Sequence, residues 1–79
     1  MNFEVTVQLK PEVLDPEARA ITETLQRQGI NEVKKILVAK KYLLDIEASN
    51  EAVALAKAEK IAQEYLANPV SESYQVKKL

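Results

Sequence analysis

Two proline-centred boundaries constrain the fold of this chain more than any other feature of its sequence. The first is Asp15-Pro16, and the second is Asn68-Pro69. An aspartate directly before a proline suits the N-cap and the first position of a helix. Asn68 instead follows a long helical pattern, and a residue that precedes proline is forced out of the α region. The first boundary therefore predicts the start of one helix, and the second predicts the end of another.

The segment that starts at the first boundary has a single apolar stripe typical of an amphipathic helix. Its members are Leu14, Ala18, Ile21 and Leu25. Gly29, the only glycine of the chain, lies where a helix commonly ends in a left-handed residue. Ile30 can then fold back on Leu25, which is the contact of a Schellman ending. The sequence predicts a helix that ends at Gly29.

A second helix is predicted between Ser49-Asn50, which offers a capping side chain, and the second boundary. Glu51 lies in its first turn, where a negative charge is favourable. Its apolar stripe contains Ala54, Ala58, Ile61 and Tyr65, widened by Leu55, Ala62 and Leu66. So many alanines predict a helix that lies close to a sheet.

The segments outside the two helices are predicted to be strands, and an alternation of apolar and polar residues, typical of half-buried strands, marks the first and the third of them. The first strand carries Phe3, Val5, Val7 and Leu9, and Pro11 ends it because it has no N–H to donate. Further strands are predicted over residues 33–39, around Tyr42, Leu44 and Ile46, and over residues 71–77. The turn between the second and third strands is poorly specified, because Ala39-Lys40-Lys41 contains neither glycine nor asparagine.

This order of elements, βαββαβ, predicts an α+β fold in a single domain over residues 1–79. The expected architecture is ferredoxin-like: a four-stranded antiparallel sheet with both helices on one face. The other face of such a sheet is open, and Leu37 and Leu43 are predicted to point towards it. Exposed apolar side chains of this kind indicate a surface that another molecule covers.

The size of the chain also predicts self-association. A chain of 79 residues buries only about 60% of its unfolded surface and has little core to stabilise it. There is no cysteine and no histidine, so neither disulfides nor the commonest metal ligand can reinforce the fold. We therefore expect a homodimer or a dimer of dimers.

Charge and hydropathy exclude two classes of partner. The net charge is −1, with 11 basic and 12 acidic residues interspersed, whereas nucleic-acid binders usually carry a basic stripe. The apolar stretches are far shorter than the roughly 20 residues that span a bilayer. No leader-like segment opens the sequence. We expect a cytoplasmic protein that binds neither nucleic acid nor membranes.

No active site can be assembled from the residue types present. Glu12, Asp15 and Glu17 cluster at the predicted helix start, where they offset the helix dipole. The serines have no histidine to activate them, and one glycine cannot form a phosphate loop. The lysine pairs 34–35 and 40–41 flank the central strands, as a solvated face or as a docking patch for an acidic partner or phosphate. We expect no catalytic, cofactor-binding or metal-binding residue.

The motifs along the chain resemble those of the PurS family, the small subunits of formylglycinamide ribonucleotide amidotransferase. The resemblance rests on Lys10-Pro11-Glu12-Val13-Leu14-Asp15-Pro16, on Asn31-Glu32-Val33, and on the run from Leu66 to Tyr74 that contains Asn68-Pro69-Val70. Three positions depart from the family pattern. Ala18 stands where the family usually has glycine, and Leu37 and Ala39 replace an arginine and a glycine.

The resemblance implies a non-catalytic subunit of an ATP-dependent carbon–nitrogen ligase of purine biosynthesis. In that complex a glutaminase subunit releases ammonia, a large synthetase subunit uses it, and a dimer of the small subunit bridges the two. ATP, Mg²⁺ and glutamine are then used by the complex and not bound by this chain. The candidate interface combines the open-face and lysine positions with the proline turn: Leu37, Lys40, Leu43, Asn68, Pro69 and Val70.

A second interpretation is an ACT-like or related ferredoxin-like regulatory module that binds a small effector between paired subunits. Ligand-dependent melting would distinguish it from a bridging subunit. An acylphosphatase-like hydrolase is excluded on sequence, because that chemistry requires an arginine-bearing anion loop near the first strand. Lys10-Pro11-Glu12 occupies that place.

Overall fold

The computed structural model of the protein describes all residues 1–79. It contains three strands and two helices in the order β1 (Asn2–Leu9), α1 (Pro16–Arg27), β2 (Ala39–Asp45), α2 (Glu51–Ile61) and β3 (Glu72–Lys78). A π-helical turn over Ala62–Leu66 continues α2. Both proline boundaries are confirmed, because Pro16 begins α1 and the helical segment that contains α2 ends before Asn68.

The strands form one antiparallel sheet in the order β2-β1-β3. In the centre of the sheet Val5 lies opposite Tyr42 on one side and Val76 on the other. Because side chains alternate along a strand, Phe3, Val5 and Val7 point to one face, where each is at most 1% exposed. We call this the inner face of the sheet.

Helix α2 covers the inner face with its alanines. Ala54, Ala58 and Ala62 are fully buried and pack in two clusters with the central residues of β1. A side chain no larger than a methyl group lets the helix lie close to the sheet, as the sequence predicted. Asn50 provides the N-cap, since its Oδ1 accepts a hydrogen bond of 2.9 Å from the N–H of Val53.

Helix α1 has the ends that the sequence predicted. Asp15 Oδ1 accepts hydrogen bonds from the N–H groups of Glu17 and Ala18, at 3.0 and 3.2 Å. At the other end Gly29 has a φ of +80°. The N–H of Ile30 donates to Leu25 O at 2.9 Å, and that of Gly29 donates to Gln26 O at 3.0 Å. These two bonds define the Schellman motif.

The position of α1 differs from the prediction. None of the extensive contacts between elements involves α1, and Ala18 is its only buried residue. The chain measures 54 × 25 × 14 Å with a radius of gyration of 16.3 Å, whereas a compact chain of this length has about 12 Å. Residues 16–38, which we call the arm, therefore project from the rest of the chain, which we call the body.

The predicted four-stranded sheet with two helices on one face is wrong for the single chain. The sheet has three strands, one helix covers it, and residues 30–38 belong to no strand. A strand needs a neighbouring strand to satisfy its N–H and C=O groups, and the arm carries residues 33–38 away from the body. Leu37, predicted on a sheet face, lies in this segment and is 66% exposed.

The outer face of the sheet is more polar than predicted. Leu43 points to it and is 70% exposed, as expected. Its cross-strand neighbour is Glu4, which lies opposite Lys77 on the other side and forms an ion pair of 3.1 Å with Lys41. The remaining positions of this face include Thr6, Gln8 and Gln75. Leu43 thus lies among charged and polar side chains, apart from Leu79, with which it lines a cleft at the end of the strands.

Candidate functional site

The motif from Lys10 to Pro16 and the turn that contains Asn68-Pro69 meet in space at one end of the body. The N–H of Lys10 donates to Ser71 O at 2.9 Å, which extends the β1–β3 ladder by one pair. The Lys10 ammonium donates to Pro69 O at 2.8 Å. Lys10 therefore fastens the start of the connection to α1 onto the turn that follows α2. Sequence reasoning identified both motifs but not this contact between them.

Asn68 builds that turn from its own hydrogen bonds. Its Oδ1 accepts from the N–H of Val70 at 3.0 Å, and its backbone O accepts from the N–H of Glu72 at 2.7 Å. Its N–H donates in turn to Glu72 Oε1 at 2.7 Å. An asparagine side chain that bonds the backbone two residues on is a common turn former. The result is a closed turn with Pro69 and Val70 at its tip, where Val70 is 83% exposed.

The π-helical turn before Asn68 changes which side chains face the sheet. The N–H of Ala67 donates to Ala62 O at 3.0 Å, and both alanines are buried. Because a π turn contains an extra residue, the positions that follow Ile61 are rotated relative to an α-helix. Tyr65, predicted in the buried stripe, is instead 76% exposed. Nothing in the sequence indicated a π turn, so this outward tyrosine was missed.

Residues 35–38, where the arm joins β2, form a cleft of about 250 Å³ against the body. Its walls come from the connection between β1 and α1 and from residues 35–38, so it brings Lys10 and Leu37 to the same cavity. A neighbouring cleft of about 190 Å³ includes Lys40. Five of the six predicted interface residues therefore lie at the Lys10 end of the molecule. Leu43 does not, because it lines a cleft with Asn2 and Leu79 at the opposite end of the strands.

The side chains gathered at this end are mainly exposed or engaged in holding the local backbone. No three residues of the types His, Cys, Asp and Glu lie close enough to hold a metal ion. Asp15 is engaged in capping α1, and Ser71 has no histidine near it because the chain has none. The exposed groups at this end are Val70 at the tip of the turn, Tyr65 and the part of the arm that joins β2.

Neither helix has the length and apolar character of a membrane-spanning segment.

Known proteins resemble this chain over almost its full length. The family model "PurS: Phosphoribosylformylglycinamidine (FGAM) synthase" matches residues 2–79. A subunit PurS of phosphoribosylformylglycinamidine synthase from Archaeoglobus fulgidus is 34% identical over 76 residues, which is 96% of this chain and 95% of the relative.

Solved structures agree with the fold. PurS from Methanocaldococcus jannaschii superposes with a TM-score of 0.84 at 34% identity, over 96% of this chain and 92% of that one. The matching chain in the structure of PurLQS from Thermotoga maritima gives 0.88 at 35% identity, over 99% and 95%. Since these superpositions include nearly every residue, the projecting arm belongs to the shared fold.

Proposed function

We propose a role for this chain from the premise that it belongs to the PurS family of phosphoribosylformylglycinamidine synthase. It is a subunit of that enzyme, a ligase of purine biosynthesis. Within the enzyme we assign it a bridging role, in which it joins the glutaminase subunit to the large synthetase subunit and carries no active site of its own. ATP, Mg²⁺ and glutamine are then used by the complex and not bound by this chain.

The observation that carries the bridging role is the architecture itself. The chain presents exposed apolar side chains on the Asn68 turn and along the arm, but no nucleophile paired with a base. A relative with the same fold has been solved within PurLQS, which supports a place in a multi-subunit assembly. A subunit whose exposed side chains only bind its neighbours contributes to catalysis by holding the other subunits in fixed positions relative to each other.

The Asn68 turn is the part of the body best suited to contact a partner subunit. Its backbone is held by its own hydrogen bonds, so little conformational entropy is lost when it docks. Val70 and Tyr65 supply apolar and aromatic area of the kind found in interface cores. We assign Asn68, Pro69 and Val70 to a contact with one of the two larger subunits.

The arm supports a homodimer. Its apolar side chains lack cover in the single chain: Ile21 and Ile30 are each 40% exposed, Val33 is 42% exposed and Leu37 is 66% exposed. The chain has only nine buried residues. Burial of the arm's apolar side chains would therefore add substantially to its stability, at about 25 cal/mol for each Å² of apolar surface. The unsatisfied arm therefore needs a surface to pack on.

The body offers a matching surface. The outer edge of β2 is unpaired, and Tyr42 and Leu44 on the inner face are only half-buried. The arm of a second copy can fill both places, with its residues 33–38 as the fourth strand and its α1 beside α2. Two chains that exchange arms in this way form a two-fold symmetric dimer. The four-stranded sheet expected from the sequence is then completed between chains, and a dimer of dimers remains open to the other surfaces.

Reconstitution of the enzyme tests the bridging role. The isolated chain should hydrolyse neither glutamine nor ATP, and the two larger subunits should need it for glutamine-dependent turnover. A charge at the turn tip, Val70→Asp, should raise the concentration of this chain needed for half-maximal turnover by about tenfold, the effect of about 1.4 kcal/mol in binding. Ser49→Asp, an equal change of charge at the exposed start of α2, is the control. Full glutamine-dependent activity without the chain would contradict the assignment.

Sedimentation equilibrium at micromolar concentration tests the homodimer. Ile21→Glu places a charge in the stripe of α1, where it would be buried on arm exchange, and the dimer should dissociate because an unpaired buried charge costs several kcal/mol. Gln26→Glu adds the same charge on the exposed side of the same helix and should leave the dimer intact. A monomeric wild-type protein would rule out the homodimer.

A further inference from the structure

We infer that Tyr65 is an extra residue in the helical segment, which the packing of that segment does not need and which serves the contact with a larger subunit. The inference rests on the proposed function and extends the contact from the Asn68 turn to the π-helical turn before it. A π turn holds one residue more than a turn of α-helix, and such turns are rare and frequently found at functional sites. In this chain the packing on both sides of the turn identifies the additional residue.

The spacing of the residues that pack on the sheet increases by one at the π turn. The fully buried alanines before it are four residues apart, as one side of an α-helix requires: Ala54, Ala58 and Ala62. The next buried residue is Ala67, which lies five residues further on. The half-buried residues show the same step of five, because Leu66 follows Ile61. Two independent pairs therefore indicate one extra residue between them.

Removal of Tyr65 would restore a regular α-helix over this stretch. Each of the two pairs would then be four residues apart. The residues that would remain within the turn, Gln63 and Glu64, are polar and exposed, as on the outer side of an ordinary helix. Tyr65 is 76% exposed and belongs to neither core cluster. Packing therefore gives no reason for the presence of this residue.

The place of the π turn in the fold favours a larger subunit, and not a second copy of this chain, as the molecule that covers Tyr65. The more extensive contacts of the π turn are with α2 and β3, whereas the arm of a second copy is placed at the free edge of β2. These two strands lie on opposite sides of β1. Tyr65 and Val70 are five residues apart and hence at most about 18 Å from each other. One surface of a larger subunit can therefore cover both.

The chemistry of the side chain defines the surface that it fits. Tyrosine is enriched in the cores of interfaces and among the residues that contribute most to binding. Its ring buries apolar area, and its hydroxyl keeps a hydrogen bond when the ring is covered. We therefore expect an apolar hollow on the larger subunit with a polar group at its base or rim.

Two variants separate the role of Tyr65 in contact from a role in folding. In the reconstituted enzyme, Tyr65→Ala should raise the concentration of this chain needed for half-maximal glutamine-dependent turnover by about tenfold. The maximal turnover at saturation should stay the same. Gln63→Ala, which shortens an exposed side chain of the same turn, is the control and should leave both values unchanged. Deletion of Tyr65 should have the effect of Tyr65→Ala, while the midpoint of denaturant unfolding stays the same or increases.

The alternatives give different results. If Tyr65→Ala leaves the half-maximal concentration unchanged while Val70→Asp raises it, the inference is wrong and the assignment of the Asn68 turn stands. A deletion variant that is unfolded, or less stable than the wild type, also overturns the inference, because the core would then need the extra residue. Loss of the homodimer in Tyr65→Ala, measured by sedimentation equilibrium, would place the tyrosine against a second copy instead. Full turnover without this chain would remove the proposed function and the inference with it.

Discussion

Gly29 shows how much a single residue decides in this chain. It has the only positive φ, and it closes α1 through two Schellman hydrogen bonds. A Cβ added at this position would meet no atom within 4 Å. The cost of any larger side chain is therefore backbone strain and not collision.

We predict that Gly29→Val lowers the free energy of unfolding by about 1–2 kcal/mol, because a β-branched residue strongly disfavours the left-handed region. Gly29→Asn should lose much less, since asparagine tolerates this conformation. Denaturant unfolding of both variants measures the difference. Equal stability of the valine variant and the wild type would show that α1 ends differently.

Lys10 acts at the same scale, as the residue that joins the two proline motifs. Lys10→Met removes the ammonium that binds Pro69 O but keeps the length and the apolar stem. We predict faster hydrogen exchange at the amides of Val70 and Ser71, because the turn loses its contact with the connection between β1 and α1. Lys10→Arg retains a charged donor and should restore protection. Unchanged exchange in Lys10→Met would mean that the Asn68 turn is rigid on its own.

At the scale of the elements, α2 supplies the helical side of the core, and β1 supplies the other side. The buried positions of α2 are alanines in direct contact with β1, which leaves no space for a longer side chain. We predict that Ala58→Leu lowers the free energy of unfolding by about 1–3 kcal/mol through overpacking. Ala56→Leu, on the exposed side of the same helix, should be close to neutral. If both variants unfolded at the same denaturant concentration, the close approach of α2 to the sheet would be wrong.

The elements also differ in what they contribute. β1, at the centre of the sheet, carries the three most buried large side chains, while α1 buries one alanine. Helix formation in α1 is supported locally by its two ends, whereas its position requires a partner surface. Helix α1 is capped at both ends but packs almost none of its surface within the chain. Such a helix is expected to pack against another subunit.

At the scale of the whole molecule, two routes of association can be distinguished. The arm would bury an apolar stripe, whereas the outer face of the sheet offers Leu43 and Leu79 among charged and polar side chains. We predict that Leu43→Asp leaves the dimer intact, because that side chain stays in solvent when arms are exchanged. A dissociated Leu43→Asp protein in sedimentation equilibrium would move the interface to the outer face.

The sequence alone predicted the features that depend on neighbouring residues. Asp15-Pro16 predicted the start of α1, Gly29 its end, the alternation from Phe3 to Leu9 the central strand, and Asn68-Pro69 the stop after α2. Each is decided by hydrogen bonds or steric limits within a few residues. The motifs around Lys10 and Asn68 also predicted the family, although their hydrogen-bonded contact could be seen only in the folded chain.

Only the tertiary structure decided where the arm lies and which residues remain uncovered. The sequence predicted that residues 33–39 form a strand of the chain's own sheet. Strand-forming residues show that a segment can pair, but not with which chain it pairs. The sequence also placed Tyr65 in the buried stripe of α2, since a period of 3.6 residues cannot anticipate a π turn. Pairing and packing depend on residues far apart in sequence, and the apolar area that covering the arm would bury is similar whether the surface belongs to its own chain or to another. Which surface the arm covers is therefore decided by contacts between distant segments, and these are seen only in three dimensions.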